Sequence, residues 1–385
     1  MLWNFKKSVY LDYNATTPPD KVAIKAFQKG LDFWGNPSSV HQASTKAKYL
    51  LWESRKKVSH FIGCHPLEII FTSGASEANN FVLKGLFEKY QGEKNELIVS
   101  AVEHPSLMQT ADYLSQKGCK VHKIPVSRQG HLDLDFFEKC LSEKTLLVSI
   151  MMANNETGVL NDLVPLIEKT KSKGGYFHSD MVQSLGKIPV NLGDLKLDFA
   201  SFSAHKFYGL KGCGALYCKK GTSLESLIHG GPQERSRRAG TENLAGIAAF
   251  GAVSEKGDVF LKSQKKILEL RDQMEKDLIS SIPDIEIIGS KLARLNNTSS
   301  IFISGIEGET LLMNLDLKGF FVSVGSACNS GKISSSSVLS SMGFTEKEAR
   351  SCIRISLGFE TQKKDIQDFV KTLKNVIERL RSLKD

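Results

Sequence analysis

Polar side chains able to bind a phosphate, move a proton or form a covalent bond follow five successive apolar runs of the sequence. These polar segments are residues 72–80, 103–105, 154–158, 180–183 and 203–206. In an open sheet of parallel strands, ligands bind beyond the carboxyl ends of the strands. Because all five segments occupy that position, the sequence predicts one pocket with backbone donors, an imidazole, amides, a carboxylate and an amine.

Lys206 and Asp180 follow neighbouring apolar runs and together suit one kind of chemistry. An amine in a desolvated pocket loses its proton readily and forms a Schiff base with an aldehyde. A carboxylate keeps a pyridine nitrogen protonated, so that the ring accepts electrons from a substrate. A single lysine is usually a surface residue, and Asp180 alone also suits a helix cap before Met181. The pair favours pyridoxal phosphate chemistry.

The segment around Gly74 has the features of a phosphate site. Gly74 permits a tight turn, and the backbone N–H groups of Ala75 and Ser76 at the start of a helix attract an anion. The alternative is an ordinary helix whose first turn is capped by Thr72 or Ser73.

Cys328 lies among small and polar residues that bury too little apolar surface to hold a segment in place. We therefore expect a mobile loop whose thiol reaches both an interior site and an external acceptor; the alternative is a chance cysteine in such a loop. The seven cysteines are scattered, their number is odd and no CxxC pair occurs. This spacing argues against a disulfide framework and a zinc site, so no metal is expected.

Short apolar runs alternate with helical patterns between residues 68 and 217, which predicts an α/β domain with a largely parallel sheet. The runs are residues 69–71, 97–99, 146–150, 176–177, 199–202 and 215–217. A helix is expected over residues 46–62, where Gly63 ends it.

The pattern changes after Gly257, where a long helical pattern, short strand-like runs and a closing helix follow one another. The strand-like runs are residues 285–288, 300–303 and 321–323. We expect a large domain over residues 13–257 and a small α+β domain over residues 258–385. Residues 1–12 are expected to join the small domain, which carries the Cys328 loop.

The chain of 385 residues has 51 basic and 42 acidic residues, a formal net charge of +9. Its one dense basic cluster, Arg235, Arg237 and Arg238, suits either a phosphate-facing loop or a solvated surface, and no nucleic-acid site is expected. No apolar run approaches the ~20 residues that span a bilayer. The first residues lack the pattern of a secretory or transit signal. A cytoplasmic location without membrane contact is expected.

In the polar segments and around Cys328, the chain resembles the NifS/IscS-type cysteine desulfurases. These belong to the class V family of pyridoxal-phosphate enzymes with fold type I. The resemblance runs through almost the whole sequence in the same order. The matching stretches are residues 10–18, 35–41, 72–80, 103–106, 154–158, 178–180, 203–209, 229–235, 238–241, 325–328 and 354–358. It implies a large α/β domain with a mostly parallel sheet flanked by helices, and a smaller α+β C-terminal domain.

The resemblance implies a homodimeric enzyme that converts L-cysteine to L-alanine. Lys206 would bind the cofactor covalently and move the Cα proton of the substrate, while His104 would lie over the ring and exchange protons. Cys328 would take the sulfur as a persulfide and pass it to an acceptor protein, for iron–sulfur cluster assembly or for thiolation of tRNA or a cofactor. Its thiol would also be placed to ligate a cluster on that partner transiently.

The other residues carried over by the resemblance hold the cofactor or the substrate. Asp180 would pair with the pyridine nitrogen, and Gln183 and Asn155 would bind around the ring hydroxyl. Arg354, together with Asn155, would bind the substrate carboxylate. The residues expected at the cofactor phosphate are Ala75, Ser76, Ser203, His205 and, reaching across from the second subunit, Thr241.

Two other functions are open on the residues alone. Another class V enzyme, an aminotransferase or a selenocysteine lyase, would use the same pocket, and Cys328 is the residue that discriminates. A catalytically silent homologue that binds partners would show no cofactor absorbance. The intact set of Lys206, Asp180, His104 and Cys328 argues against that second alternative.

Overall fold

Residues 8–90, 92–324 and 336–383 are described by the computed structural model, which folds them around a seven-stranded and a four-stranded sheet. The strands are β1 (Val9–Tyr10), β2 (Ile69–Thr72), β3 (Glu96–Ser100), β4 (Lys120–Ile124), β5 (Thr145–Ser149), β6 (Tyr176–Asp180), β7 (Phe199–Ser203), β8 (Gly214–Cys218), β9 (Ile285–Ile288), β10 (Thr298–Ile303), β11 (Phe320–Phe321), β12 (Ser323–Val324) and β13 (Cys352–Ser356).

Helices cover these sheets. They are α1 (Lys21–Leu31), α2 (Gln42–Ile62), α3 (Ala75–Lys89), α4 (Pro105–Ser115), α5 (Leu134–Cys140), α6 (Val164–Ser172), α7 (Leu192–Leu195), α8 (Gln233–Ser236), α9 (Leu244–Glu255), α10 (Gly257–Ser281), α11 (Gly308–Leu317), α12 (Ser337–Ser341), α13 (Glu346–Arg350) and α14 (Lys363–Ser382). The predicted helix over residues 46–62 is confirmed as α2, which begins four residues earlier and ends at Gly63 in the left-handed conformation, with φ 68°.

The seven-stranded sheet has the order β2-β8-β7-β6-β5-β3-β4. Strand β8 is antiparallel to both neighbours, and the remaining pairs are parallel. Leu147 and Phe199 pack into a core on one face, whereas Val148 and Ala200 pack into a core on the other. Burial on both faces explains the continuous apolar runs of the sequence. The expected α/β fold with a mostly parallel sheet is confirmed.

Strand β4 is the element of this sheet that the sequence pattern missed. It pairs only with β3, at the edge of the sheet. Lys120 and Lys123 are exposed, so the strand lacks the apolar run that marks its neighbours. Charged residues on an edge strand discourage pairing with another molecule, which accounts for a strand without a strand-like sequence.

The four-stranded sheet has the order β12-β13-β10-β9 and is antiparallel throughout. Met274 of α10 and Phe369 of α14 pack into the core that covers it. Strand β1 pairs in parallel with β11 and so attaches the N-terminal segment beside this sheet. The domain boundary at residue 257 stays a prediction.

The sequence pattern also missed β13, the strand that carries Arg354, because its arginine and serine interrupt the apolar residues. Across the described ranges, no helix combines the length and apolar character needed to cross a bilayer.

Candidate active site

A cavity of about 710 Å³ opens at the carboxyl ends of the parallel strands, and all five polar segments contribute to its wall. The predicted site residues that line it are Ala75, Ser76, His104, Asn155, Asp180, Gln183, Ser203, His205, Lys206 and Arg354. Thr241 is exposed and does not line this cavity. Cys328 lies outside the described residues. The structure therefore brings together most of the side chains that the sequence singled out.

The start of helix α3 is open to the cavity. Gly74 occupies the N-cap position and no side chain caps the helix, so neither Thr72 nor Ser73 plays the capping role considered above. The Thr72 hydroxyl donates instead to the Gly74 carbonyl at 3.0 Å. The N–H groups of Ala75 and Ser76 thus lie at the positive end of a helix in the cavity wall, where they can bind an anion.

Lys206 lies one turn beyond β7, and its Nζ donates to the backbone carbonyl of Asn14 at 2.6 Å. The neighbouring His205 contacts the Thr16 hydroxyl through Nδ1 at 3.1 Å. Burial, followed by the positive charges of Lys206 and Lys211, lowers the pKa of His205 to about 4. His205 is therefore a neutral ring at pH 7 that offers one hydrogen-bond donor.

Asp180 ends β6 and projects into the cavity with both oxygens engaged. Its Oδ2 accepts from Asn79 Nδ2 at 2.9 Å, and its Oδ1 accepts from the Val182 backbone N–H at 3.0 Å. Residues 181–187 form a turn, so Asp180 does not cap a helix as the alternative supposed. These two bonds hold the carboxylate in one orientation toward the cavity.

His104 is the N-cap of α4, a role that the sequence pattern did not predict. Its Nδ1 accepts from the backbone N–H of Ser106 at 3.1 Å, so the proton of the neutral ring lies on Nε2. Burial lowers the pKa of His104, as does Lys206, while Asp180 acts in the opposite direction. The ring is therefore set up to donate from Nε2 at neutral pH.

Arg354 presents a guanidinium that the rest of the protein only partly satisfies. One terminal nitrogen donates to Asp12 Oδ1 at 2.6 Å and the other to the Asn155 carbonyl at 3.1 Å. Its Nε is buried and has no partner among the described residues. Arg354 lines the cavity, where a guanidinium can bind a carboxylate ligand.

The structure reveals further buried polar residues beside this cavity that sequence reasoning missed. Asn14 and Lys187 are buried and bonded to each other. Glu156 lines the cavity and accepts from the Ser336 hydroxyl at 2.5 Å, and burial raises its pKa to about 7. Asn14 lies in a stretch that matched the family and Glu156 in one of the five polar segments, but neither was assigned a role.

The three arginines of the cluster all bond to other parts of the protein, although Arg235 remains exposed. Arg235 and Arg237 donate to the backbone carbonyl of Leu67. Arg238 forms an ion pair with Glu77, whose other oxygen accepts from the Ser73 backbone N–H. These bonds fasten residues 235–238 to Leu67, which precedes β2, and to Glu77 in the first turn of α3.

His178 is a buried histidine in β6, two residues before Asp180, and its burial makes the stability of the protein depend on pH. It lies between the hydroxyls of Ser149 and Ser201, at 2.7 and 2.9 Å, and burial lowers its pKa to about 4 although Asp180 partly opposes this. Between pH 6.5 and pH 4, the His178 ring binds a proton in the unfolded chain but not in the folded chain. The free energy of unfolding therefore decreases as the pH falls through this range. Because the folded-state pKa is the lower one, this stability is present above pH 6.5 and lost as pH falls.

We expect His178→Gln to remove this acid penalty. Relative to the wild type, its free energy of unfolding in urea should improve by about 2 kcal/mol on going from pH 7 to pH 5. The comparison cancels contributions from groups common to both proteins, such as Glu103, whose burial raises its pKa to about 8. An unchanged difference between the two proteins at the two pH values would contradict the assignment.

Comparison with known proteins places the chain among close relatives. A family model for Aminotransferase class-V matches residues 9–369. The "Cysteine desulfurase IscS" of Dictyoglomus turgidum is 40% identical over 380 residues, 98% of this chain and 96% of that protein. A solved "NifS-like protein" matches with a TM-score of 0.90 and 35% identity over 97% of this chain and 100% of that one. A structure described as "SspA in complex with cysteine" matches with a TM-score of 0.80 and 30% identity over 91% and 99%.

Proposed function

The chain belongs to the class-V aminotransferase family, and from that premise we infer that it is a cysteine desulfurase dependent on pyridoxal phosphate. It converts L-cysteine to L-alanine and transfers the sulfur to Cys328 as a persulfide. One observation carries this proposal: Lys206, Asp180, the open start of α3 and Arg354 all line the same cavity.

The residues present fit pyridoxal phosphate group by group. Lys206 supplies an amine for the aldehyde, Asp180 a carboxylate for the pyridine nitrogen, and the N–H groups of Ala75 and Ser76 donors for the phosphate. Ser203 adds a hydroxyl near Gly74, about 3.7 Å from where a Cβ would stand on that glycine. When bound, the cofactor supplies an electron sink for the pair released at the substrate Cα.

The chain's own residues bind the substrate and move its protons. Arg354 would hold the carboxylate of L-cysteine through its guanidinium, which lines the cavity, while the bond to Asp12 prevents the guanidinium from rotating. Lys206 would take the proton from Cα. His104, with its lowered pKa and its proton on Nε2, would exchange protons with the substrate or with the carbon that becomes the alanine methyl group.

The position of Cys328 in the chain supports its role as nucleophile. Ser323, shortly before its segment, pairs with Arg354 in the four-stranded sheet, and Ser337, shortly after, lines the cavity. The Cys328 thiolate would form an S–S bond to the substrate sulfur as the substrate C–S bond breaks. The electron pair of that bond stays with carbon, which takes up a proton to give alanine, so no external oxidant or reductant is needed.

We propose that the working enzyme is a homodimer. Trp34, Val40 and Tyr49 are large apolar residues that are exposed in the single chain, with Val40 fully exposed. Three such residues within sixteen positions of the chain would provide an apolar surface for contact with a second subunit. Thr241, absent from its own cavity, would bind the cofactor phosphate in the second subunit. Sedimentation equilibrium tests this, and a monomer of 42.5 kDa at micromolar concentration would contradict it.

The acceptor of the sulfur is proposed from the relatives, several of which are called IscS. An iron–sulfur scaffold protein in the cytoplasm is the acceptor we propose. The six cysteines in the described ranges are all unpaired, which supports a reducing compartment.

The test of the proposed function is direct. Purified protein loaded with pyridoxal phosphate is given L-cysteine and a reductant, and alanine and sulfide are assayed together. Equal amounts of both are expected over the first turnovers. Selenide from L-selenocysteine without sulfide from L-cysteine would indicate a selenocysteine lyase, and amino transfer to a 2-oxo acid an aminotransferase. Failure to form alanine from cysteine would defeat the proposal even if the cofactor binds.

A further inference from the structure

Lys187 is a buried lysine to which the proposed reaction assigns no role. Its Nζ donates to Gln183 Oε1 at 2.5 Å and to Asn14 Oδ1 at 2.8 Å, and both acceptors are neutral amides. No carboxylate pairs with it among the described residues. Burial, and then the charges of Lys206 and Arg354, lower the pKa of this amine well below its usual value. Lys187 therefore donates one hydrogen bond to each of two amide oxygens and takes part in no ion pair among the described residues.

The bond to Gln183 selects one of the two orientations of that side-chain amide. Because Lys187 donates to Oε1, the amide nitrogen must point away from it. That nitrogen donates one N–H to the Asn14 carbonyl at 3.0 Å, and Gln183 lines the cavity, so the second N–H is left for a ligand there. A reversed amide would place Oε1 against the Asn14 carbonyl and lose the bond that Nε2 donates there.

The bond to Asn14 holds the residue that contacts the Lys206 amine. Asn14 Oδ1 accepts from Lys187 and from Asn297 Nδ2, the latter at 3.0 Å. The backbone carbonyl of the same asparagine accepts from Lys206 Nζ. Lys187, Gln183 and Asn14 therefore form one hydrogen-bonded group beside the Lys206 amine.

We propose that Lys187 is a positioning residue, which orients the Gln183 amide so that its nitrogen presents a donor to the ring oxygen of the bound cofactor. Lys187 itself touches neither cofactor nor substrate. This inference rests on the proposed function, because it gives Gln183 a ligand in the cavity.

A double-mutant cycle on cofactor affinity tests the inference. Lys187→Met and Gln183→Leu are each expected to raise the Kd of pyridoxal phosphate about tenfold, the effect of one lost hydrogen bond. The double variant is expected to match the single variants within about twofold, since Lys187 acts through Gln183. The absorption maximum of the bound cofactor should shift in the same direction in all three. Independent effects that multiply to about a hundredfold would overturn the inference, as would an unchanged Kd in Lys187→Met.

Controls separate this result from a general loss of folding. Lys57→Met removes a surface lysine paired with Glu255, and its Kd should equal that of the wild type. Circular dichroism of each cofactor-free variant checks the fold. If Lys187→Met does not fold, Lys187→Gln, which keeps one amide donor, replaces it in the same cycle. The proposed function fails if the wild type binds no cofactor or makes no alanine; the inference fails if the wild type does both and the cycle is additive.

Discussion

Cys328→Ala is expected to abolish the release of sulfide from L-cysteine while leaving cofactor binding intact. The Cys328 thiolate is the only group proposed to accept the substrate sulfur. Without it, no nucleophile takes up the sulfur when the C–S bond breaks. Loss of a covalent nucleophile typically costs an enzyme several orders of magnitude. We expect alanine formation to fall by at least about a thousandfold, with the absorption spectrum of the bound cofactor unchanged.

Mass spectrometry can locate the transferred sulfur, and a second cysteine variant serves as the control. Alkylation of the enzyme after one turnover, followed by peptide mass spectrometry, should find the extra sulfur on the peptide that contains Cys328. Cys140→Ala provides the matched control, because Cys140 is a half-buried cysteine that does not line the cavity. Sulfide release by Cys328→Ala at the wild-type rate would show that the sulfur leaves without a persulfide on this residue.

The large sheet and most of the cavity wall could be predicted from the sequence because short stretches of neighbouring residues determine both. A strand buried on both faces is a continuous apolar run, and the polar residues that follow it must lie at its carboxyl end. Asp180 and Lys206 were found in this way, each three or four positions after an apolar run. Strand β13 and its Arg354 were found only through the resemblance, since the polar residues of β13 hide its pattern.

The connections between distant parts of the chain could not be predicted from local patterns. Arg354 is held by Asp12, which is 342 positions away, and Lys187 by Asn14, which is 173 positions away. Nothing in the composition around these residues indicates their partners. The arginine cluster shows the same limit, because its three side chains bind groups that precede them by well over a hundred positions.

The N-terminal segment joins the two halves of the site. The Asn14 backbone N–H donates to the Ser356 hydroxyl in β13, at 2.9 Å, while the Thr17 backbone N–H donates to the His205 carbonyl beside Lys206, also at 2.9 Å. The strand that carries the proposed carboxylate clamp and the turn that carries the proposed covalent lysine are thus tied to the same few residues. This explains how two separate sheets can present Arg354 and Lys206 to one substrate at a fixed separation.

Lys206→Ala is expected to eliminate covalent attachment of the cofactor and to reduce alanine formation by at least about a thousandfold. Two roles are lost together, the amine that binds the aldehyde and the base that moves the Cα proton, and proton transfer alone contributes about 10²–10⁴. The phosphate site and Asp180 are untouched, so the cofactor should still bind without a covalent bond. Spectroscopic titration measures that binding.

Borohydride reduction of the wild type, followed by peptide mass spectrometry, identifies the attached lysine. The label is expected on Lys206, because its amine lies in the cavity wall, held against the Asn14 carbonyl. Lys211 and Lys187 are the informative competitors, one exposed at the cavity and the other buried beside it. Lys220→Ala, the loss of an exposed lysine, serves as the matched control and should retain full activity. A label on Lys211 or Lys187 would contradict the assignment, since the amine that binds the aldehyde must be the one that Asp180 and the start of α3 surround.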